Sequence, residues 1–169
     1  MTPAEAVQNL KELEGGFGHE ADGQEVEAGI DQSSWDAFCA YRGIPSFPVS
    51  GLTVADIQSF YLHEYLLPLR FADLPDGVDF VLFQWAVNHG ITGAVKDLQI
   101  CLGVAPDGVI GPDTLRAAHN ADRLRTMELM LDRQMSWYEW DARKNPDAPL
   151  LGWKSRIEKV RQIVGLTNV

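Results

Sequence analysis

The sequence predicts a mainly α-helical protein with one small β-hairpin, and three observations lead to this prediction. Helix-starting signals recur along the chain, as at Thr2 and Thr53, where an acidic residue follows three positions later. Most segments between glycines and prolines carry apolar residues at helical spacing. Outside residues 16–30, no run of strand length alternates cleanly between apolar and polar side chains. The hairpin is therefore expected within that acidic, glycine-rich stretch.

The first helix is predicted to begin at Thr2, with Pro3 at the first helical position and Glu5 closing a capping box. Apolar residues then share one face of the helix with Glu14, and Gly15 follows as a natural C-cap. Glu14 is therefore expected to end this helix on its inward-facing side.

Similar signals place the later helices. Either Asp31 or Ser33 can cap a second helix, which Gly43 stops. The segment after Asp76 is apolar on all sides, which is typical of a helix in the middle of a fold. Further helix boundaries are predicted at the capping pair Thr53 and Asp56, and at Pro68, Gly103 and Pro112.

Length and apolar patterning limit the classes of protein. A chain of 169 residues suits one domain or two tight lobes. The longest apolar stretch, VDFVLFQWAV, is far shorter than the roughly 20 residues of a membrane span. The first residues carry acids and lack an apolar core, unlike a secretory signal peptide. Synthesis in the cytoplasm is therefore expected, and Cys39 and Cys101 are expected to be buried free thiols on inward helix faces.

The negative charge is concentrated in the first half of the chain. The net charge is −10, and residues 1–90 hold 3 basic against 14 acidic residues, whereas residues 91–169 hold 11 against 10. Phosphate backbones would repel such a front half, so nucleic acid is excluded as an expected partner.

Most catalytic chemistries lack their residue patterns. His19 and Glu20 are adjacent, but no second histidine stands one helical turn away, as helical zinc sites require. No Gly-x-Ser-x-Gly motif marks a nucleophile, and Cys39 falls inside a predicted helix. We therefore expect no metal and no cofactor, and acid–base chemistry by carboxylates remains.

The position of Glu14 favours a role as a general acid. At the C-terminal end of a helix, the negative pole of the helix dipole disfavours an ionised side chain and raises its pKa. A glycosidase needs such an acid and a second carboxylate, which Asp22 or Glu25 can supply from the same glycine-rich stretch. From these residues alone, a solvated acidic loop remains the alternative.

Taken together, these segments resemble glycosyl hydrolase family 108, the muramidases of the phage-endolysin and secretion-activator type. Members of the family begin with a helix that ends in Glu-Gly-Gly-aromatic, which is EGGF at 14–17 here. The likeness continues in order through GID at 29–31, LPDGVDFVLFQWAVNHG at 74–90, DGVIGPDTL at 107–115 and LLGWKSRIEKV at 150–160.

The resemblance implies a lysozyme-like, two-lobed helical fold and hydrolysis of the β-1,4 bond between N-acetylmuramic acid and N-acetylglucosamine. Residues 1–92 are then the catalytic region, and residues 93–169 are a peptidoglycan-binding region packed with it as one compact unit. Glu14 takes the role of catalytic acid, with Asp22 and Glu25 as candidates for the second carboxylate. Phe17, Gly29 and Asn88, which stand in the matching motifs, are the expected substrate-binding residues. Phe17, Trp35 and Trp85 are candidates for stacking on sugars, with a core position favoured for Trp85.

The chain departs from the family pattern after Glu14, because Val26 and Asp31 stand where the family has threonine. Valine cannot hydrogen-bond a water molecule as a threonine hydroxyl can. This departure favours one alternative, a non-catalytic peptidoglycan-binding protein. The other alternative is a neighbouring enzyme class, a lytic transglycosylase that uses the same Glu14.

The expected partner is the peptidoglycan glycan strand, without nucleic acid or membrane. We expect a monomer that acts at the cell wall or in the periplasm after holin-type release or export.

Overall fold

The structure, a computed structural model, describes residues 1–14, 18–19 and 25–166, with only the backbone of Glu14, His19, Glu25 and Val26. Within these residues the predicted mainly α-helical fold is confirmed. The helices are α1 (Pro3–Glu14), α2 (Gln32–Arg42), α3 (Val54–Tyr61), α4 (Val78–His89), α5 (Ile91–Leu102), α6 (Pro112–Asn120), α7 (Arg123–Lys144) and α8 (Leu150–Ile163). The strands are β1 (Gly18–His19), β2 (Glu25–Glu27) and β3 (Ile30–Asp31).

The contacts divide the chain into two compact units. The N-terminal unit is Thr2–Leu67, and the C-terminal unit is Pro68–Val169 together with Met1. This division reflects contacts within each unit, whereas the boundary expected after residue 92 separates two functions. The functional boundary stays a prediction.

Helix α1 has the capping box that the sequence predicts. The backbone N–H of Thr2 donates to Glu5 Oε2 at 2.8 Å, and the N–H of Glu5 donates to Thr2 Oγ1 at 3.2 Å. Ala6, Val7 and Leu10 bury the inner face. The helix ends at Glu14, as predicted.

The acidic stretch contributes more strand than the single predicted hairpin. The three strands form an antiparallel sheet in the order β1, β2, β3. Glu27 pairs with Ile30 across a two-residue turn, in which Ala28 and Gly29 have φ angles of 52° and 81°. Two positive φ angles define a type I′ turn, whose twist suits a hairpin. The conformation costs Ala28 roughly 1–2 kcal/mol because of its Cβ atom.

Asp31, rather than Ser33, caps helix α2. Its carboxylate accepts hydrogen bonds from the Ser34 N–H at 2.8 Å, the Ser33 hydroxyl at 2.6 Å and the Ser34 hydroxyl at 3.0 Å. Burial raises the pKa of this carboxyl, but the hydrogen bonds outweigh burial, and the net shift of its pKa is downward. Gly43, with φ of 67°, ends the helix as predicted.

Helix α3 begins at the predicted capping box of Thr53 and Asp56, in which both reciprocal hydrogen bonds are present. The chain continues from α3 into a π-helical turn, Leu62–Leu66, which ends before Pro68. The π-helical turn had no signal in the sequence. Its wider winding shifts the register of the last residues of the N-terminal unit.

Helix α4 is the buried centre of the C-terminal unit. Every residue from 78 to 86 is buried, which confirms the prediction made from its all-round apolar pattern. Its N-cap position is Gly77, with φ of 86°, and not the neighbouring Asp76. Asp79 replaces a capping residue here, because its buried carboxylate accepts the N–H groups of Gly77 and Phe80, both at 2.7 Å.

Both cysteines are free thiols, as predicted, but they differ in burial. Cys39 is buried on α2, whereas Cys101 is only half-buried on α5, so the full burial predicted for Cys101 is wrong. Burial raises the pKa of both thiols, that of Cys101 to about 11.

The loop of the DGVIGPDTL motif folds around the buried side chain of Gln99 on α5. The Gln99 amide donates to Asp107 Oδ1 at 2.6 Å and to the Val109 carbonyl and Thr114 Oγ1, each at 3.0 Å. Its carbonyl oxygen accepts the Gly108 N–H at 2.8 Å. One side chain therefore organises the loop between α5 and α6.

We expect Gln99→Leu to lower the free energy of unfolding by about 1 to 3 kcal/mol, because the loop loses the hydrogen bonds of this buried amide and the buried Thr114 hydroxyl loses a partner. Chemical denaturation measures the loss, and hydrogen exchange should show faster exchange at the Gly108 amide. Gln8→Leu, at an exposed position on α1, is the matched control and should change stability by no more than about 0.5 kcal/mol. Equal effects of the two substitutions would contradict the role of Gln99.

We expect Asp31→Ala to lower the free energy of unfolding by about 1 kcal/mol at neutral pH through loss of the N-cap. Because the pKa of Asp31 is lowered in the folded state, its stabilisation is present above its unfolded pKa of about 3.9 and is lost as the pH falls through its folded pKa. Denaturation curves of wild type and variant should therefore converge in acid. Glu158→Ala, exposed on α8, is the control, and a difference for Asp31→Ala that is independent of pH would refute the assignment.

Candidate active site

Glu14 is the last residue of α1, so its backbone lies at the negative end of the helix dipole. One turn earlier, Lys11 Nζ lies 3.3 Å from Glu27 Oε1 on β2. This ion pair connects the final turn of α1 to the central strand of the sheet. The end of the helix and the acidic strand therefore form one local structure.

The candidates for the second carboxylate lie around the first two strands. Glu25 is the first residue of β2, and its backbone pairs with that of His19 on β1. Asp22 and Phe17 lie outside the described residues. The roles of all these residues stay predictions.

The turn that holds Gly29 is anchored by a residue that the sequence reasoning missed. The hydroxyl of Tyr61, on α3, donates to the Ala28 carbonyl at 2.7 Å, and both residues are buried. Gly29 itself is exposed, and its positive φ explains why glycine stands there. Its expected contact with substrate stays a prediction. In the sequence, Tyr61 fits the buried face of α3 like its apolar neighbours. Nothing in its spacing indicates the hydrogen bond to the Ala28 carbonyl.

The departure at Asp31 has a structural explanation. Aspartate and threonine are both favourable N-cap residues, so either can start α2 at this position. Val26 lies in β2, where its backbone pairs with Asp31, and valine is a strong strand former. Local structure therefore accommodates both departures from the family pattern.

Asn88 lies in the last turn of α4, in the C-terminal unit. Its side chain is exposed, and Nδ2 donates to the Gln84 carbonyl of the same helix at 3.0 Å. The side-chain oxygen takes no part in that bond. Its expected contact with substrate stays a prediction.

The two tryptophans proposed as sugar-stacking residues are core residues. Trp35 is 1% exposed and Trp85 is 0% exposed. Trp35 stacks on Phe38 with a centroid distance of 5.4 Å, and the Trp85 indole N–H donates to Asp97 Oδ2 at 3.0 Å. Neither ring can present a face to a sugar, so the stacking role expected of Trp35 was wrong, whereas the core position favoured for Trp85 is confirmed.

Among the residues that the structure describes, no group of three or more histidine, cysteine, aspartate or glutamate side chains could hold a metal ion. None of the helices in the described part of the chain combines the length and the apolar character needed to cross a membrane.

Comparisons with known proteins agree with this arrangement. Residues 7–90 match the sequence model of the family described as glycosyl hydrolase 108. A comparison with curated proteins gives no match. Among solved structures, the chain is similar to the structure of Brucella abortus SagA, with a TM-score of 0.79 and 28% sequence identity over 97% of this chain and 94% of that one. The match over residues 7–90 and the similarity to SagA therefore identify the chain as a glycoside hydrolase that acts on peptidoglycan.

Proposed function

We propose that this protein is an N-acetylmuramidase that hydrolyses the β-1,4 bond between N-acetylmuramic acid and N-acetylglucosamine. The observation that carries the proposal is the termination of α1 at Glu14, beside a three-stranded sheet to which Lys11 ties the same helix. The family match over residues 7–90 includes Glu14 and both of the other candidate carboxylates.

Glu14 acts as the general acid in this proposal. The backbone of Glu14 lies at the negative end of the helix dipole, an environment that favours the protonated form a general acid needs. Glu14 then transfers that proton to the glycosidic oxygen as the bond to the anomeric carbon breaks. The leaving sugar departs as a neutral alcohol.

Asp22, or failing that Glu25, stabilises the positive charge on the anomeric carbon or activates the attacking water. The paired backbones of His19 and Glu25 lie opposite each other, so the segment that carries Asp22 starts and ends at neighbouring strands. Carboxyl groups about 5 to 9.5 Å apart serve these roles in glycosidases. A carboxylate can also replace the threonine hydroxyl that Val26 lacks as an acceptor for water.

We also propose that residues 93–169 bind the wall and that the protein acts as a monomer. Residues 91–169 hold 11 basic against 10 acidic residues, so this region does not share the strong negative charge with which the first half repels an anionic polymer. We further propose that the protein acts at the cell wall or in the periplasm, where its substrate lies, after holin-type release or export.

We expect Glu14→Gln to lower the release of reducing ends from purified peptidoglycan by roughly 10² to 10⁴-fold, the usual contribution of a general acid. Glu12→Gln, at an exposed position two residues earlier on α1, is the matched control and should keep full activity. Circular dichroism should show unchanged helix content in both variants.

Mass spectrometry of the products identifies the reaction. Muropeptides with reducing ends support the hydrolase, whereas 1,6-anhydro products would assign a lytic transglycosylase. A Glu14→Gln variant with full activity would overturn the role of Glu14. Wall binding by the wild type without any product would favour a non-catalytic protein.

For the second carboxylate, we expect Asp22→Asn to lower kcat by at least about 10²-fold, with little change in KM, because the charge acts mainly in the transition state. Glu25→Gln should have a much smaller effect, and Glu20→Gln serves as the control for the same segment. Steady-state kinetics on soluble glycan strands measures all three. The reverse order of the effects would transfer the role from Asp22 to Glu25.

A further inference from the structure

The C-terminal unit contains a pocket of about 390 Å³ that the proposed chemistry does not use. It is lined by residues from three helices, namely His89 of α4, Asp97 of α5, and Arg133, Ser136, Trp137 and Trp140 of α7. This volume is within the range of small-molecule sites, which combine apolar walls with a few fixed polar groups.

One wall of the pocket is aromatic and held rigidly. Trp137 packs edge-on against Trp85 at 5.8 Å and against His89 at 5.0 Å. Trp140 is 46% exposed, which makes it the most exposed tryptophan of the described chain. Lys144 Nζ lies 3.8 Å from the centre of the Trp140 ring and thereby helps to orient it. Two indole rings are thus presented at a solvent-accessible site.

The polar lining of the pocket is fixed as well. Nε and Nη2 of Arg133 donate to Asp97 Oδ1 at 2.9 and 2.6 Å, while Asp97 Oδ2 accepts the buried Trp85 indole N–H. Nη1 of Arg133 has no hydrogen-bond partner among the described residues and can donate to a ligand. The Ser136 hydroxyl donates to the Asp132 carbonyl, which leaves its oxygen as an acceptor.

Gly93 of α5 lacks a side chain and thereby leaves space for His89 in the pocket. Its ring stacks on Trp85 at a centroid distance of 4.5 Å and an angle of 9°. A Cβ atom at Gly93 would lie 2.6 Å from His89 Cδ2, closer than real contacts allow. Glycine at this position therefore makes room for the imidazole between the two helices.

We propose that this pocket binds one N-acetylated pyranose of a glycan strand. That the strand belongs to peptidoglycan rests on the proposed function. The C–H face of a pyranose is complementary to the negative face of an indole ring. Its hydroxyl and acetamido groups match the donors on Arg133 and the acceptor on Ser136.

The charge of the pocket favours a neutral sugar over the carboxylate of a stem peptide. Asp97 accepts two hydrogen bonds from the Arg133 guanidinium and neutralises its charge. An incoming carboxylate would be repelled by Asp97 at short range. A neutral hydroxyl or amide group can bond to Nη1 without this cost.

The test follows the five indole N–H signals in ¹H–¹⁵N NMR spectra of the full chain. The protein carries Glu14→Gln, which is expected to prevent hydrolysis of the added sugar. Titration with N,N′,N″-triacetylchitotriose should shift the signals of Trp137 and Trp140. Substitution of each tryptophan by phenylalanine assigns the signals. Unchanged signals for both residues at saturating sugar, or shifts with a soluble stem peptide instead, would overturn the proposal.

Two variants test the site by affinity. Trp140→Ala should weaken sedimentation with purified peptidoglycan by about tenfold, as expected for the loss of one stacked aromatic ring. Gly93→Ala should weaken it as well, by displacing His89, although alanine favours the helix. Tyr41→Ala, an exposed aromatic position of the N-terminal unit, is the matched control and should bind like the parent.

The outcome is independent of the catalytic assignment, because every variant is compared in the Glu14→Gln background. If Glu14→Gln proved fully active while Trp140→Ala lost binding, the role of Glu14 would fail and the pocket would stand. Equal wall affinity of the parent, Trp140→Ala and Gly93→Ala would overturn the pocket whatever the catalytic result.

Discussion

A buried polar side chain that reaches from a helix to an irregular segment is the interaction on which much of this structure depends. Tyr61 holds the turn between β2 and β3, and Gln99 holds the loop between α5 and α6. Each such bond contributes only about 0.5 to 1.5 kcal/mol net, but a buried group left without its partner costs about 1 to 3 kcal/mol. The packed helices therefore fix these segments more firmly than the segments' own sequences can.

This anchoring decides how the acidic strand is placed beside Glu14. The Lys11 and Glu27 side chains are 33% and 14% exposed, and partly solvated ion pairs contribute little to stability. The Tyr61 hydrogen bond is buried and lies next to Ala28, whose backbone is strained. A strained turn persists only where its surroundings determine it. The hydrogen bond to α3, more than the ion pair, thus keeps β2 in position.

The parts of this fold that could be predicted from sequence are those set by neighbouring residues. The capping box at Thr2 and the stop at Gly43 need only a few adjacent positions, and both are present. The third strand, the burial of Trp35 and the bond from Tyr61 to Ala28 depend on pairings of residues far apart in the chain. A periodic pattern of apolar residues predicts which face of a helix is buried, but it does not show which residues pack against that face. The end of α1 at Glu14 was predictable because capping signals are local, whereas the catalytic role of Glu14 stays a prediction.

Electrostatics limits how such a protein can hold an anionic wall polymer. The net charge of −11 in residues 1–90 gives no long-range attraction, and at physiological ionic strength charges interact weakly beyond about 8 Å. Affinity must then come from short-range contacts, in which hydrogen bonds and aromatic faces act on neutral parts of the glycan. The Arg133 and Asp97 pair fits this requirement, because it offers directed donors while adding no net charge. Recognition by shape and hydrogen bonding lets an acidic enzyme work on an acidic substrate.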